Sequence, residues 1–359
     1  MNRKDIETSL SVKPIGFKYD EELYELCRIP SPSNYEGNLL EYLLKRISHL
    51  SLFKSHVDKK QALTLTYNGG HSQTVMLDAH IDQVHLRIVS ILGDGQVLAI
   101  PVGFGQQVMD GNAVYHFKSG KIGTIITVAP HMNIPSIHTS NSAKSKKPVL
   151  IDFAMTHREA IEVFTIGDPI MFRFDYYKMN PNTVVSSGLD DKSAVVILLY
   201  LAEYYQQHPE ELGVNLVLHF STREELGYGS IAYLMNSGQH PDYIIVLDTE
   251  IATDSSKIPK DIIGNVSLNR GPVISRNYDD DMMVGDTLMK LAKNHKIPFQ
   301  VVFSSSIGSS NGALYTEYFD SLTQYVGIPL RNMHSPYEVV SLHDIRHLSL
   351  LLISFLRDL

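Results

Sequence analysis

The chain has 359 residues, more than one hydrophobic core usually serves, so two domains or one domain with an insertion are expected. A formal net charge of −8, with no basic stripe, speaks against nucleic acid as a partner. Cys27 is the sole cysteine, the start Met1 to Glu7 lacks the apolar core of a signal peptide, and the longest apolar run, Ala194 to Ala202, is too short to span a bilayer; a soluble cytoplasmic protein with no disulfide and no membrane partner is expected.

In chain order, Asp20 to Arg28 and Glu36 to Leu50 read as helices, the second opened by Ser33-Asn34-Tyr35-Glu36, a capping-box pattern. Thr74 to Ala79 is a short apolar run, read as a buried strand with His80 at its exit. Residues 91–177 differ from the rest. They are rich in Val, Ile and Gly, with strand-like runs at Val97 to Ile100, Gly123 to Val128, Val149 to Phe153 and Ile170 to Phe174, and turn signals at Asp110-Gly111 and Ser119-Gly120. They read as a small all-β domain inserted into a main domain of residues 1–90 and 178–359, with Ile137 to Lys147 as an exposed mobile loop.

Beyond the insertion, a helix is expected over Ser193 to His208, a strand over Val214 to Phe220, a helix from Ser230 to Asn236 and a strand over Tyr243 to Leu247. Then follow a helix over Met282 to His295, strands at Phe299 to Phe303 and Leu322 to Val326, and a closing helix from Leu342 to Leu356. This alternation predicts an α/β fold with a mainly parallel sheet covered on both faces. Such sheets bind ligands beyond the carboxyl ends of their strands.

Five potential metal ligands sit near such ends: His80, Asp190, Glu225, Asp248 and His334. Two imidazoles and three carboxylates suit a pair of zinc-like ions sharing one carboxylate. Each signal has a plain alternative. His80-Ile81-Asp82 could be a buried polar pair at a strand end; on extended chain the two side chains share a side, so Asp82 could orient the imidazole. Asp190 and Asp191 could cap the following helix, but capping accounts for one Asp rather than two after Ser186-Ser187-Gly188, a flexible approach. Asp190 is read as the bridge. Glu224-Glu225 could be a solvated turn, yet a buried strand exit is a poor place for two carboxylates without a cation. One could bind metal while the other faces substrate. A lone His such as His334 is more often structural, and the i, i+4 pair His343 and His347 reads as a solvated helix face.

Taken together, Ala-His-x-Asp, the β-rich insertion, Leu-Asp-Asp, Glu-Glu-x-Gly, Leu-Asp-Thr and Pro-Leu-Arg-x-Met-His-Ser-Pro resemble the metallopeptidase family of tetrahedral, deblocking and glutamyl aminopeptidases, some of them labelled endoglucanases. Further matches lie at Ile100 to Gly103, Arg270 to Pro272 and Ile328 to Arg331. The resemblance implies a three-layer zinc-peptidase sandwich with an inserted β-barrel and a hollow homododecamer. It implies one metal on His80, Asp190 and Asp248, a second on Asp190, Glu225 and His334, Glu224 as general base and Asp82 as the partner of His80.

On this reading the protein is a metal-dependent aminopeptidase acting on peptides with two divalent ions, zinc first and cobalt second. A deacylase or carboxypeptidase with the same metal cage, or a catalytically silent shell protein, are the alternatives. Gln83, His85 and Asn311 depart from the family pattern and bear on substrate choice, Asn311 as a position where the family commonly has Asp.

Overall fold

The computed structural model describes residues 10, 12–103, 111–127, 148–227, 229, 231, 234–235, 237–238, 240–255, 257–303 and 310–359. The loop read at Ile137 to Lys147 and most of the helix read at Ser230 to Asn236 lie outside them. Among the described residues no helix is long and apolar enough to cross a membrane.

Three strands open the main sheet: β1 (Lys54–Val57), β2 (Leu63–Tyr67) and β3 (Thr74–His80). The next six leave it: β4 (His85–Ile91), β5 (Val97–Val102), β6 (Ala113–His116), β7 (Ile122–Ile125), β8 (Val149–Asp152) and β9 (Pro169–Phe172). They close into a barrel in the order β4-β5-β8-β7-β6-β9, around Leu86, Ile88, Val97, Val114, Ile151 and Phe172. The sheet is completed by β10 (Tyr176–Asn180), β11 (Thr183–Ser186), β12 (Asn215–Ser221), β13 (Tyr243–Ile251), β14 (Val273–Ser275), β15 (Gln300–Val302), β16 (Leu322–Arg331) and β17 (Glu338–Ser341). The principal helices are α1 (Tyr19–Cys27), α2 (Gly37–Ile47), α3 (His157–Val163), α4 (Leu189–Gln207), α5 (Met282–Asn294), α6 (Asn311–Tyr318) and α7 (Leu342–Asp358).

The sheet runs β1-β2-β12-β3-β13-β16-β17-β11-β10, with β14 on β16 and β15 on β14. Its centre, β12-β3-β13-β16, is parallel, while β2, β17, β11 and β10 join antiparallel. The sheet is therefore mixed. Parallel neighbours need long crossovers, whereas β10 and β11 are joined by a tight turn that imposes antiparallel pairing.

Side chains alternate along each central strand and build two layers. Val75, Leu77 and Ala79 of β3, Leu216, Leu218 and Phe220 of β12, and Ile245 and Leu247 of β13 join the large core with α1, α2, α4, α5 and α7. Helix α4 is buried on nearly every side, which is why its sequence is apolar all round. Met76, Val217, Ile244 and Val246 face the other way, onto Tyr315 of α6. By the same alternation His80 and Asp248 belong to this second face.

One expected feature differs. Ser33 does not cap α2, which begins only at Gly37; its hydroxyl donates instead to Asp82 Oδ2 at 2.6 Å. An ionised carboxylate is a stronger acceptor partner for a hydroxyl than a helix amide is a donor to it, so the local motif yields to the tertiary one.

Asn311, at the start of α6, donates from Nδ2 to Asp78 Oδ2 at 3.0 Å and to Ser221 Oγ at 2.9 Å, pinning α6 to β3 and β12. The amide is thus committed inside the fold, and Asn311 is not among the residues lining the cavity beside Asp190, Asp248 and His334. Asn311→Asp should therefore lower stability, by ~1–3 kcal/mol, because it sets a second carboxylate against buried Asp78. Thermal unfolding checks this; an unchanged melting temperature with an altered substrate profile would return the position to the substrate pocket.

Candidate active site

The seven residues singled out from the sequence converge on one place. His80 ends β3. Asp248 lies within β13, three residues before its end, and not at its exit. Glu224 and Glu225 form a one-turn 3₁₀ helix after β12, entered through Arg223 at φ 66°. Asp190 and Asp191 open α4 with non-helical backbone angles, joined by a cis peptide bond. His334 follows β16 at φ 60°, a left-handed conformation that aims its N–H at Glu338 Oε1, 2.8 Å away.

Asp190 stands between the two imidazoles. Its Oδ1 is 3.2 Å from His80 Nε2 and its Oδ2 is 3.1 Å from His334 Nε2. His334 Nε2 is also 3.5 Å from Glu225 Oε2, and His80 Nε2 is 3.8 Å from Asp248 Oδ1 and 4.0 Å from Glu224 Oε2. The ligand atoms of His80, Asp190 and Glu225 fall within 4.8 Å of one another, as do those of His80, Asp191 and Asp248. Asp191 thus joins the second group where Asp190 was expected. A third cluster, His208, Glu210 and Glu211, is engaged by Lys13 and Tyr204. Among the described residues no third ligand joins His343 and His347, whose rings stack at 6.3 Å.

Asp82 acts differently from the simple imidazole partner read from the sequence. His80 Nδ1 donates to the main-chain oxygen of Asp82 at 3.1 Å, while the carboxylate Oδ1 is 3.5 Å away. That carboxylate accepts from Glu224 N at 3.0 Å, Glu225 N at 3.3 Å and Ser33 Oγ at 2.6 Å. One buried residue therefore fixes the tautomer of His80, leaving Nε2 for a ligand, and also holds the turn that carries both glutamates.

Sequence reading missed Glu338. This buried carboxylate accepts from Asp190 N at 3.3 Å and His334 N at 2.8 Å, tying two ligand-bearing backbones together. It also missed the demand on Gly103: a β-carbon there would lie 2.8 Å from Glu225 Oε2, so the barrel approaches the site through a residue that must lack one. The stretch before Asp190 is a defined turn, with Gly188 at φ 74° packed so closely on Gln83 that a β-carbon would lie 1.7 Å from Nε2. Gln83 and His85 belong to this scaffold. Gln83 Oε1 accepts from Lys192 Nζ at 2.8 Å and Ser31 N at 3.1 Å, and His85 Nδ1 meets Gln83 O at 3.1 Å.

The electrostatics call for a cation. Burial acts against charge everywhere here. Even so, Asp190, Asp248 and Asp82 hold His80 protonated well above the usual range, and Asp190 with Glu225 raises His334 to about 10. Between two such imidazoles Asp190 is held well below the ordinary carboxylate range. Burial and neighbouring carboxylates push Glu224 up to about 8, and Glu225 and Asp191 well above the usual value. Among the described residues, buried Glu225 Oε1 and Asp191 Oδ2 have no hydrogen-bond donor. Crowded carboxylates with orphaned oxygens and two imidazoles fit a hard-to-borderline divalent ion.

The chain belongs to the M42 glutamyl aminopeptidase family, whose model matches residues 62–351. It is a hydrolase of the aminopeptidase kind, and the family is metal-dependent. It is 23% identical to the glutamyl aminopeptidase of Lactococcus lactis over 90% of this chain and 92% of that one. It is 22% identical to the lysyl aminopeptidase of Pyrococcus furiosus over 90% and 93%. The solved dodecamer PhTET1-12s superposes with a TM-score of 0.80 at 23% identity, covering 96% of this chain and 100% of that chain.

Because the surrounding carboxylates raise His334 to about 10 and His80 well above the usual imidazole range, a divalent ion bound there must compete with protons. Loading with zinc should release protons, and apparent affinity should rise with pH. Calorimetry in two buffers of different ionisation heat checks this; a heat independent of the buffer would contradict it.

Proposed function

We propose that the chain removes N-terminal residues from peptides using two divalent ions, zinc first and cobalt second. His80, Asp190 and Asp248 would hold one ion, and Asp190, Glu225 and His334 the other. The observation that carries this reading is the placement of Asp190, each of whose oxygens faces a different imidazole. Bound there, the ions supply Lewis acidity that polarises the scissile carbonyl and lowers the pKa of a water toward neutrality.

The protein's own groups do the rest. Glu224, raised toward neutral pH and beside His80, takes the proton of the attacking water and hands it to the leaving amine. Asp82 keeps Glu224 in reach by holding its main-chain N–H. Glu338 fixes the backbones of Asp190 and His334. Carboxylates around the site give a free α-amino group a counter-charge that an acylated N-terminus would not use.

We read residues 1–90 and 178–359 as the catalytic domain and 91–177 as the inserted one, in a cytoplasmic homododecamer like that solved for PhTET1-12s. Support for self-association comes from an apolar edge. Strand β15 pairs only with β14 among the described strands, Val301 and Phe303 are 46% and 51% exposed, and the Tyr278 ring, 5.3 Å from that of Phe303, is 70% exposed. An open edge carrying exposed apolar groups is ordinarily covered.

Glu224→Gln should keep its metal and lose turnover by ~10²–10⁴-fold, whereas Glu225→Gln should lose metal. Metal analysis beside peptide hydrolysis checks both; the reverse pattern would exchange the two roles. N-acetylation of a cleaved peptide should abolish cleavage, and equal cleavage of both forms would favour deacylase or endopeptidase chemistry. Light scattering coupled to size exclusion should give the mass of twelve chains, as in the solved dodecamer. An active monomer or dimer would overturn the assembly while leaving the chemistry.

A further inference from the structure

A cavity of about 220 Å³ opens beside the metal centre, bounded on one side by Asp190, Glu224, Asp248 and His334. Its lining also includes Glu250, Asp279, Asn277, Ile263, Tyr325 and Met333. Among the described residues that line it there is no Lys or Arg, and His334 is committed to Asp190 and Glu225. We propose that this cavity receives the side chain of the substrate's N-terminal residue, that it selects lysine or arginine, and that Glu250 is the specificity-determining residue. The inference rests on the aminopeptidase reading and names the substrate class of the same site.

The backbone puts Glu250 in place. It lies two residues beyond Asp248 on β13, so both side chains project from the same face, with Glu250 about 6–7 Å further along the strand. An offset of that size calls for a long substrate side chain. The neighbouring strand makes room: Gly327 of β16 stands opposite Asp248, and a β-carbon there would lie 2.6 Å from Glu250 Cβ and 3.2 Å from the Tyr325 ring. Glu250 Oε1 accepts from Ile251 N at 3.0 Å, and among the described residues Oε2 meets no donor. The Tyr325 ring is fixed by its hydroxyl, which donates to Thr249 O at 2.6 Å.

The lining offers groups for both parts of a basic side chain. Ile263, Met333 and Tyr325 offer apolar wall to the methylene stem, and Glu250 with Asp279 offers charge to the head. An acidic side chain would meet like charge, and an aliphatic one would leave the half-buried carboxylate of Glu250 without a partner. Family membership does not decide the matter, since relatives bear the opposite names lysyl and glutamyl.

The test uses the zinc-loaded, assembled enzyme and fluorogenic amides of Lys, Arg, Leu and Glu. The Lys and Arg amides should have the highest kcat/KM, and Glu250→Gln should lower the Lys:Leu ratio of kcat/KM by ~10–100-fold, mostly through KM. Glu250→Asp should restore part of the ratio. Metal content and melting temperature, compared with the parent enzyme, separate this from misfolding. A parent enzyme that prefers Glu or Leu, or a ratio untouched by Glu250→Gln, would overturn the inference and leave the aminopeptidase reading standing. Should no amide be cleaved, calorimetry with lysinamide and leucinamide decides. Lysinamide binding that weakens selectively in Glu250→Gln would support the basic subsite while the reaction assignment falls, and equal binding to parent and variant would overturn the subsite.

Discussion

The structure turns on one buried carboxylate held between two imidazoles. Asp190 is 5% exposed, and so many acidic groups meet around it that no arrangement of protein atoms neutralises them all. Charges taken out of water cost several kcal/mol each unless they are paired, and breaking one partner of such a pair is strongly destabilising. The protein accepts that cost most heavily here, where several carboxylates meet. The left-handed turn at His334 and the irregular opening of α4 are both geometries that bring a ligand to this carboxylate.

The rest of the fold supplies rigidity. The parallel centre of the sheet delivers His80 and Asp248 on one face, while the opposite face is anchored in the large core. Neither glutamate of the 3₁₀ turn is held by the strand that precedes it. Their positions come from Asp82, itself steadied by Ser33. The barrel adds a second constraint, because Gly103, just after β5, closes onto Glu225. Lys192 and Gln83 perform a similar service beneath Asp190, linking the first turn of α4 to the segment after β3. Side chains set by such an outer layer keep their geometry.

The long elements were legible because each carries a periodic apolar pattern: β3, β12, β13, α4, α5 and α7 stand within a few residues of their expected bounds. That these polar residues cluster was legible because carboxylates and imidazoles beside buried apolar runs conflict with burial, and that conflict is visible locally. What escaped notice depends on partners far away in sequence. Ser33 reaches Asp82 across 49 residues and Glu338 reaches Asp190 across 148, and nothing in the local sequence of either betrays it. Strands as short as β11, β14 and β17 hold too few residues to show a period. Asn311 is a related case: only the packing of α6 on β3 reveals that Asp78 and Ser221 have claimed its amide.

The central claim is that Asp190 is shared. Its most direct test is elemental analysis of the parent protein and of Asp190→Asn after reconstitution with excess zinc and removal of loosely bound ion. A shared ligand predicts two ions per parent chain, since each oxygen of Asp190 faces a different imidazole, and the variant should lose both together. A parent that never exceeds one ion per chain, or a variant that keeps one ion at full occupancy, would contradict it.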